Sequence, residues 1–147
     1  MDIRAARLAA GLSQSALARR AQVSQPNLSA YENGRRAPSP DVLDRITRAL
    51  RGRPSVRLAQ NRDAVCALVS AHRAVAPRVF GSVARGEDEL GSDLDLLVAF
   101  TDEASLLDEV GLRIAVRDLL QVEVDVVSED ALHGAMRERV LREAVPL

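Results

Sequence analysis

The segment from Phe80 to Val98 constrains this chain more than any other: Phe-Gly-Ser-Val-Ala-Arg-Gly-Glu-Asp-Glu-Leu-Gly-Ser-Asp-Leu-Asp-Leu-Leu-Val. Its end opens the apolar run 94–100, which reads as a buried strand. Side chains two apart on a strand share a face, so Asp93 and Asp95 project together, their backbones about 7 Å apart. Paired carboxylates repel, and placing both at the start of a core strand is costly unless a cation sits between them. Mg2+ is held by one or two carboxylates together with phosphate oxygens, so the pair points to a metal–nucleotide ligand.

The chain has 147 residues, room for one ordinary domain or two small ones, and its 47% hydrophobic content is that of a globular protein. No apolar run approaches membrane-spanning length and the N-terminus opens directly on a helical pattern, so the expectation is a cytoplasmic protein with no membrane partner. The single cysteine, Cys66, excludes an internal disulfide and a cysteine-based zinc cluster. It lies in an apolar helical pattern with Val65, Leu68 and Val69, where a buried, inert thiol is expected. All 20 basic residues are arginine, which removes lysine-dependent mechanisms, a Walker-type phosphate loop among them. Tyr31, Phe80 and Phe100 are the only aromatics, too few for a single-strand stacking platform.

A net charge of −1 conceals a division. Residues 1–53 carry ten arginines against four acids, and residues 54–147 carry ten arginines against seventeen acids. A basic part joined to an acidic one argues for two domains with different partners. The punctuation Arg51-Gly52-Arg53-Pro54-Ser55 marks the junction, giving domains at 1–52 and 53–147.

Residues 1–52 read as four or more short helices. Asp2, Ser13, Ser24 and Ser39 stand at N-cap positions, Pro40 follows the last of them, and Gly11 and Gly52 act as stops. Leu8, Leu12, Leu17, Val23, Leu28, Val42, Leu43, Ile46 and Leu50 are the expected core. The three residues Gln22-Val23-Ser24 between the second and third helices have helix-turn-helix spacing. The stretch from Leu12-Ser13-Gln14-Ser15-Ala16-Leu17-Ala18, through Val23-Ser24-Gln25, to Tyr31-Glu32-Asn33-Gly34-Arg35-Arg36-Ala37-Pro38-Ser39 resembles the Cro/XRE helix-turn-helix. That resemblance implies operator DNA as a partner. It places Gln25, Asn27 and Ser29 near base edges and Gln14 and Arg35 on phosphates, in a module that normally binds as a dimer. Gln22 stands where the family usually has glycine, and a left-handed residue there costs about 1–2 kcal/mol.

From Ser55 the order reads helix, strand, turn, strand, helix, strand, helix. Helices are expected over Val56–Val75, Glu103–Leu120 and from Ser128 to about Ala144, with strands at Arg78–Phe80 and Gln121–Val127. Alternation on the later strand sets Val122, Val124 and Val126 on one face and Glu123, Asp125 and Val127 on the other. A mid-strand acid needs a reason, and a third ligand beside Asp93 and Asp95 supplies one; Glu123 is the fallback. Three carboxylates can hold two Mg2+ ions. Gly81 lets a phosphate approach the backbone, and Ser82 opens a helical turn whose N–H groups and hydroxyl can hold a phosphate oxygen.

Gly81-Ser82, Asp93-x-Asp95, the later Asp125 and the ending Leu-Arg-Glu-Ala-Val-Pro-Leu together resemble the minimal branch of the polymerase β-like nucleotidyltransferases. The fold so implied is two domains, an all-α helix-turn-helix followed by an α+β nucleotidyltransferase with a small mixed sheet. By the resemblance, Asp93, Asp95 and Asp125 bind metal, and Asp125 also helps activate an acceptor hydroxyl. Gly81 and Ser82 hold the triphosphate of ATP, and Arg85 sits near the phosphates or the acceptor. A surface pair with Glu87 or Asp88 is the other reading of Arg85. His72 and His133 lack partners at ligand spacing.

Minimal nucleotidyltransferases resemble antitoxins acting on HEPN-type toxins, some by moving AMP from ATP to a toxin tyrosine. The expected function is an antitoxin-like protein adenylyltransferase that represses its own operon. Two alternatives use the same residues: a repressor whose second domain binds nucleotide or a partner protein without turnover, and a small-molecule nucleotidyltransferase.

Overall fold

The computed structural model describes residues 1–147, and the chain divides into two compact units, Met1–Gly52 and Arg53–Leu147. No helix is long and apolar enough to cross a membrane.

The first unit is four helices: α1 (Ile3–Ala9), α2 (Gln14–Ala21), α3 (Gln25–Glu32) and α4 (Pro40–Arg51). Each starts on a capping side chain. Asp2, Ser13, Ser24 and Ser39 accept from the backbone N–H of Ala5, Ala16, Asn27 and Val42, satisfying donors that a helix start leaves orphaned. Leu17, Ala18, Ala21, Leu28, Ile46 and Ala49 form the core with Ile3, and Leu12, Val23, Tyr31, Val42 and Leu50 pack around it. Leu8 and Leu43 do not join; they are 61% and 36% exposed. Gln22 ends α2 at φ 54°, the left-handed conformation usually given to glycine. Its carbonyl accepts from Arg45 Nη1 of α4 at 2.8 Å, a contact that offsets part of the backbone cost.

The second unit begins with α5 (Pro54–Gln60) and α6 (Arg62–Ala71), then β1 (Ala74–Phe80), α7 (Gly81–Arg85), β2 (Leu94–Phe100), α8 (Leu106–Leu120) and β3 (Val124–Ser128). A single 3-10 turn (Glu129–Ala131) leads to α9 (Gly134–Glu143) and the short β4 (Val145–Pro146). The strand order is β3-β2-β1-β4, with β2–β3 parallel and the other two pairings antiparallel. The small mixed sheet that the nucleotidyltransferase resemblance implied is present.

Several boundaries differ from the sequence expectation. The long helix over 56–75 is two, broken at Asn61, whose side chain turns back to donate to the Arg57 carbonyl, the local competition that makes Asn a poor helix interior residue. Ala74 and Val75 belong to β1 instead. Pro77 has no N–H to pair, and β1 bulges between Val75 and Arg78 with Ala76 at φ 52°. The last helix starts at Gly134, because Ser128 leads into the 3-10 turn.

Alternation on β2 divides the unit in two. Leu94, Leu96 and Val98 bury one face against α6 and α8, with Val65, Val69, Leu112, Val116 and Leu120. Leu97 faces the other way, into a smaller cluster with Leu132 and Val140 of the α9 region. Asp95 shares this second face. Cys66 is half-buried, more open than its apolar neighbours suggest.

Candidate active site

β2 and β3 run parallel in a register that sets Asp95 directly opposite Asp125. Asp93 lies two residues before Asp95, just ahead of β2. The three acids therefore gather at the N-terminal ends of two neighbouring strands. Asp95 is half-buried, while Asp93 and Asp125 are exposed. Burial pushes the Asp95 carboxyl up to about 6, and the negative charges of Asp125, Asp93 and Glu143 add to the rise. No protein group donates a hydrogen bond to it.

The antiparallel partner supplies the rest. Phe80 pairs with Asp95 across β1–β2, so Gly81 begins α7 against the Asp95 carboxylate. A Cβ on Gly81 would collide with Asp95 Oδ2, and its φ of 70° disfavours any other residue. Only glycine lets the turn and the carboxylate come this close. Ser82 follows, half-buried, in the first turn of α7. Asp88 fixes the loop from α7 to Asp93: fully buried, it accepts from the Ser55 N–H at 2.9 Å and from Arg53 Nη2 at 3.5 Å.

Arg85, at the exposed end of α7, pairs with Glu87 at 2.9 Å and with Glu143 of α9. The pair with Glu87 is the one expected of a surface arginine; Asp88 is engaged elsewhere. Glu143 was not singled out in the sequence. It holds Arg85 and adds a third negative charge beside Asp95, and its only signal was its place in the C-terminal string. Glu123 precedes β3, and Asp125 is the acid that faces Asp95.

As the side chains lie, no three acidic, histidine or cysteine groups form a ready-made metal cage. Mg2+ does not require one, since it keeps water and phosphate oxygens beside one or two carboxylates. Asp93 and Asp95, with Asp125 opposite, fit a divalent cation by their chemistry: a half-buried carboxylate crowded by like charge is relieved by a cation.

In the first unit, Gln25 is exposed at the start of α3, and Asn27 and Ser29 are half-buried. Gln25 and Ser29 are one turn apart on one flank of α3, whereas Asn27 falls on the other side. Ser29 Oγ accepts from the Asn33 side chain. Gln14 opens α2 and donates to Glu32 Oε2 at 3.1 Å, and Gln25 Nε2 approaches its Oε1 at 3.5 Å. Glu32 is itself held by Arg7 through bonds of 2.6 and 3.2 Å. This buried pair orients Gln14, and residue spacing alone did not reveal it. Arg35 is exposed and makes no ion pair.

A glycine-serine helix laid against paired strand acids on a mixed sheet, in a chain that also carries a helix-turn-helix, defines a nucleotidyltransferase with a helix-turn-helix module. The chain belongs to the nucleotidyltransferase domain family, which matches residues 58–147, and its helix-turn-helix domain matches over residues 3–56. It is similar to "Protein adenylyltransferase MntA" of Thermococcus cleftensis, 42% identical over 67 residues, 46% of this chain and 68% of that protein. A solved structure described as "Structure of putative minimal nucleotidyltransferase" is 54% identical with a TM-score of 0.59, covering 63% of this chain and 95% of that one. A solved "toxin-antitoxin with AMP-PNP" superposes with a TM-score of 0.52 over 58% of this chain and 71% of that one; at 19% identity the likeness concerns the fold alone.

Proposed function

We propose that the second unit transfers AMP from Mg-ATP to a hydroxyl of a partner toxin, with tyrosine as the acceptor, and that the first unit represses the protein's own operon. The observation that carries the transfer reading is the convergence of Asp93, Asp95 and Asp125 beside the Gly81–Ser82 turn. The named adenylyltransferase relative supports AMP as the group moved and a protein as the acceptor. A HEPN-type toxin as that protein follows the motif resemblance and the shared toxin–antitoxin fold.

In this reading the Gly81–Ser82 turn holds the triphosphate, since backbone N–H groups at a helix start attract phosphate. Asp93, Asp95 and Asp125 would hold Mg2+, which neutralises phosphate charge and supports the leaving oxygen. The acceptor oxygen attacks the α-phosphorus, the bond from that phosphorus to the oxygen bridging toward the β-phosphate breaks, and pyrophosphate leaves. Asp125, exposed toward solvent, takes up the hydroxyl proton. Arg85 shifts from its carboxylates to the phosphates.

Co-expression of the chain with the neighbouring gene's product, followed by mass analysis of that product, tests the transfer. AMP on a tyrosine with wild type and none with Asp93→Ala supports it; equal labelling by both removes the catalytic role of Asp93. No labelling by wild type, despite nucleotide binding, favours a repressor without turnover. For the first unit, a shift of upstream DNA that weakens as salt rises is expected from arginine–phosphate contacts. A salt-insensitive result withdraws the repressor role.

A further inference from the structure

α8 has two apolar sides, and the unit uses only one. Leu112, Val116 and Leu120 are buried against the sheet. On the opposite side Leu106 and Leu107 are 73% and 83% exposed, and Val110 and Ile114 are 37% and 39% exposed. Residues 106, 110 and 114 repeat at i, i+4 and i+8, with 107 beside them, so they form one stripe along the helix. The outer face of a surface helix is ordinarily polar, and a contiguous aliphatic stripe there marks a contact surface.

The charges around the stripe say what covers it. Acids gather at its start, with Asp102 and Glu103 just before the helix and Glu109 in its first turn; Arg113 and Arg117 occupy its second half. Glu109 and Arg113 make no ion pair within the chain, and Arg117 reaches only its exposed neighbour Asp118, at 3.5 Å. The pattern is self-complementary when a second α8 is laid antiparallel with Val110 on the two-fold axis. Leu106 then lies opposite Ile114 of the second copy, and the acidic segment ahead of the helix, with Glu103, comes to the end of the second copy that carries Arg117. A parallel arrangement would set acids on acids.

We propose that this face is an isologous dimer interface between two copies of the chain, packed antiparallel through Leu106, Val110 and Ile114 and closed at its ends by Glu103–Arg117 pairs. The dimer supplies two helix-turn-helix modules, the number that paired operator half-sites require. A contact made through one helix stripe falls short of the roughly 800 Å² per partner of a standard interface, so dimerisation is expected to depend on protein concentration. The transfer reading is not needed for it.

Sedimentation velocity of the full chain over a wide concentration range tests this, with thermal melts confirming that each variant folds. Wild type is expected to pass from monomer to dimer, and Val110→Arg, which sets two like charges on the axis, to stay monomeric. Glu103→Arg and Arg117→Glu should each weaken the dimer about tenfold, and the double variant, with the signs exchanged, should recover it. Wild type remaining monomeric throughout, Val110→Arg remaining dimeric, or no recovery in the double variant would overturn the proposal. A monomeric wild type whose binding to the neighbouring gene's product is lost in Val110→Arg would also overturn it, and assign the face to that protein.

Discussion

Glu32 in the first unit and Asp95 in the second are both carboxylates drawn at least partly out of water, and the two are treated in opposite ways. Glu32 in the first unit has a side chain only 3% exposed and receives donors from Arg7 and Gln14. The Arg7 hydrogen bonds hold its carboxyl below the ordinary glutamate range. Asp95 in the second unit receives no donor, faces Asp125, Asp93 and Glu143, and is pushed up to about 6. A satisfied buried acid belongs to the fold. One left short of positive charge, in a unit that supplies an arginine to Asp88, is kept for something that arrives from outside.

Replacing each acid's environment should break this contrast. Asp95→Asn is expected to lower transfer at least about a thousandfold, because metal ligation contributes several kcal/mol to the transition state. The same variant should melt at or above the wild-type temperature in metal-free buffer, since repulsion is relieved. A lower melting temperature would mean that Asp95 is structural. Arg7→Ala should act in the opposite sense, costing the first unit about 3 kcal/mol by leaving Glu32 buried without its cation. That loss would show as an earlier unfolding transition and weaker DNA binding, with transfer activity retained.

The pH responses should diverge as well. Glu32 has a lowered folded pKa, so its contribution is complete above the ordinary glutamate value of 4.5 and is lost as pH falls through the folded value. Asp95 has a raised one, so its contribution is fullest below the ordinary aspartate value of 3.8 and is lost as pH rises through about 6. In metal-free buffer the second unit should therefore gain stability between pH 7 and pH 5, and saturating Mg2+ should flatten that gain. Melts of the two units that moved together with pH would remove the distinction. The smallest expected effect is at Gln22: Gln22→Gly should raise the first unit's stability by about 0.5–1 kcal/mol, as the left-handed cost disappears and part of the gain is returned in chain entropy. Unchanged stability would show that the left-handed conformation costs glutamine little at this position.

Much of the first unit was legible because its signals are local. A cap and the N–H it satisfies are three residues apart, so Asp2, Ser13, Ser24 and Ser39 could be placed without tertiary knowledge. Leu8 misled because periodicity finds an apolar face but not whether anything covers it. In the second unit, Asn61 broke a helix that hydrophobic spacing carried through, and Pro77 with Ala76 turned the expected helix end into a bulged strand.

The residue types at the candidate site were legible in the same way. A pair of acids at strand spacing, a glycine-serine turn and a later strand acid carry their chemistry in the order of residues. Their meeting depends on pairing between distant segments. The parallel register of β2 and β3 sets Asp125 against Asp95, and the β1–β2 pairing brings Gly81 onto the same carboxylate. Glu143 reaches the group because α9 packs on the second face of the sheet, and Glu32 is partnered because Arg7 lies 25 residues away across the first core. Local periodicity and capping are written in neighbouring residues, so sequence could specify them. Which charge meets which across a core is decided only when loops have closed and strands have chosen a register, and there the structure specified the Asp95 cluster and the Arg7–Glu32 pair.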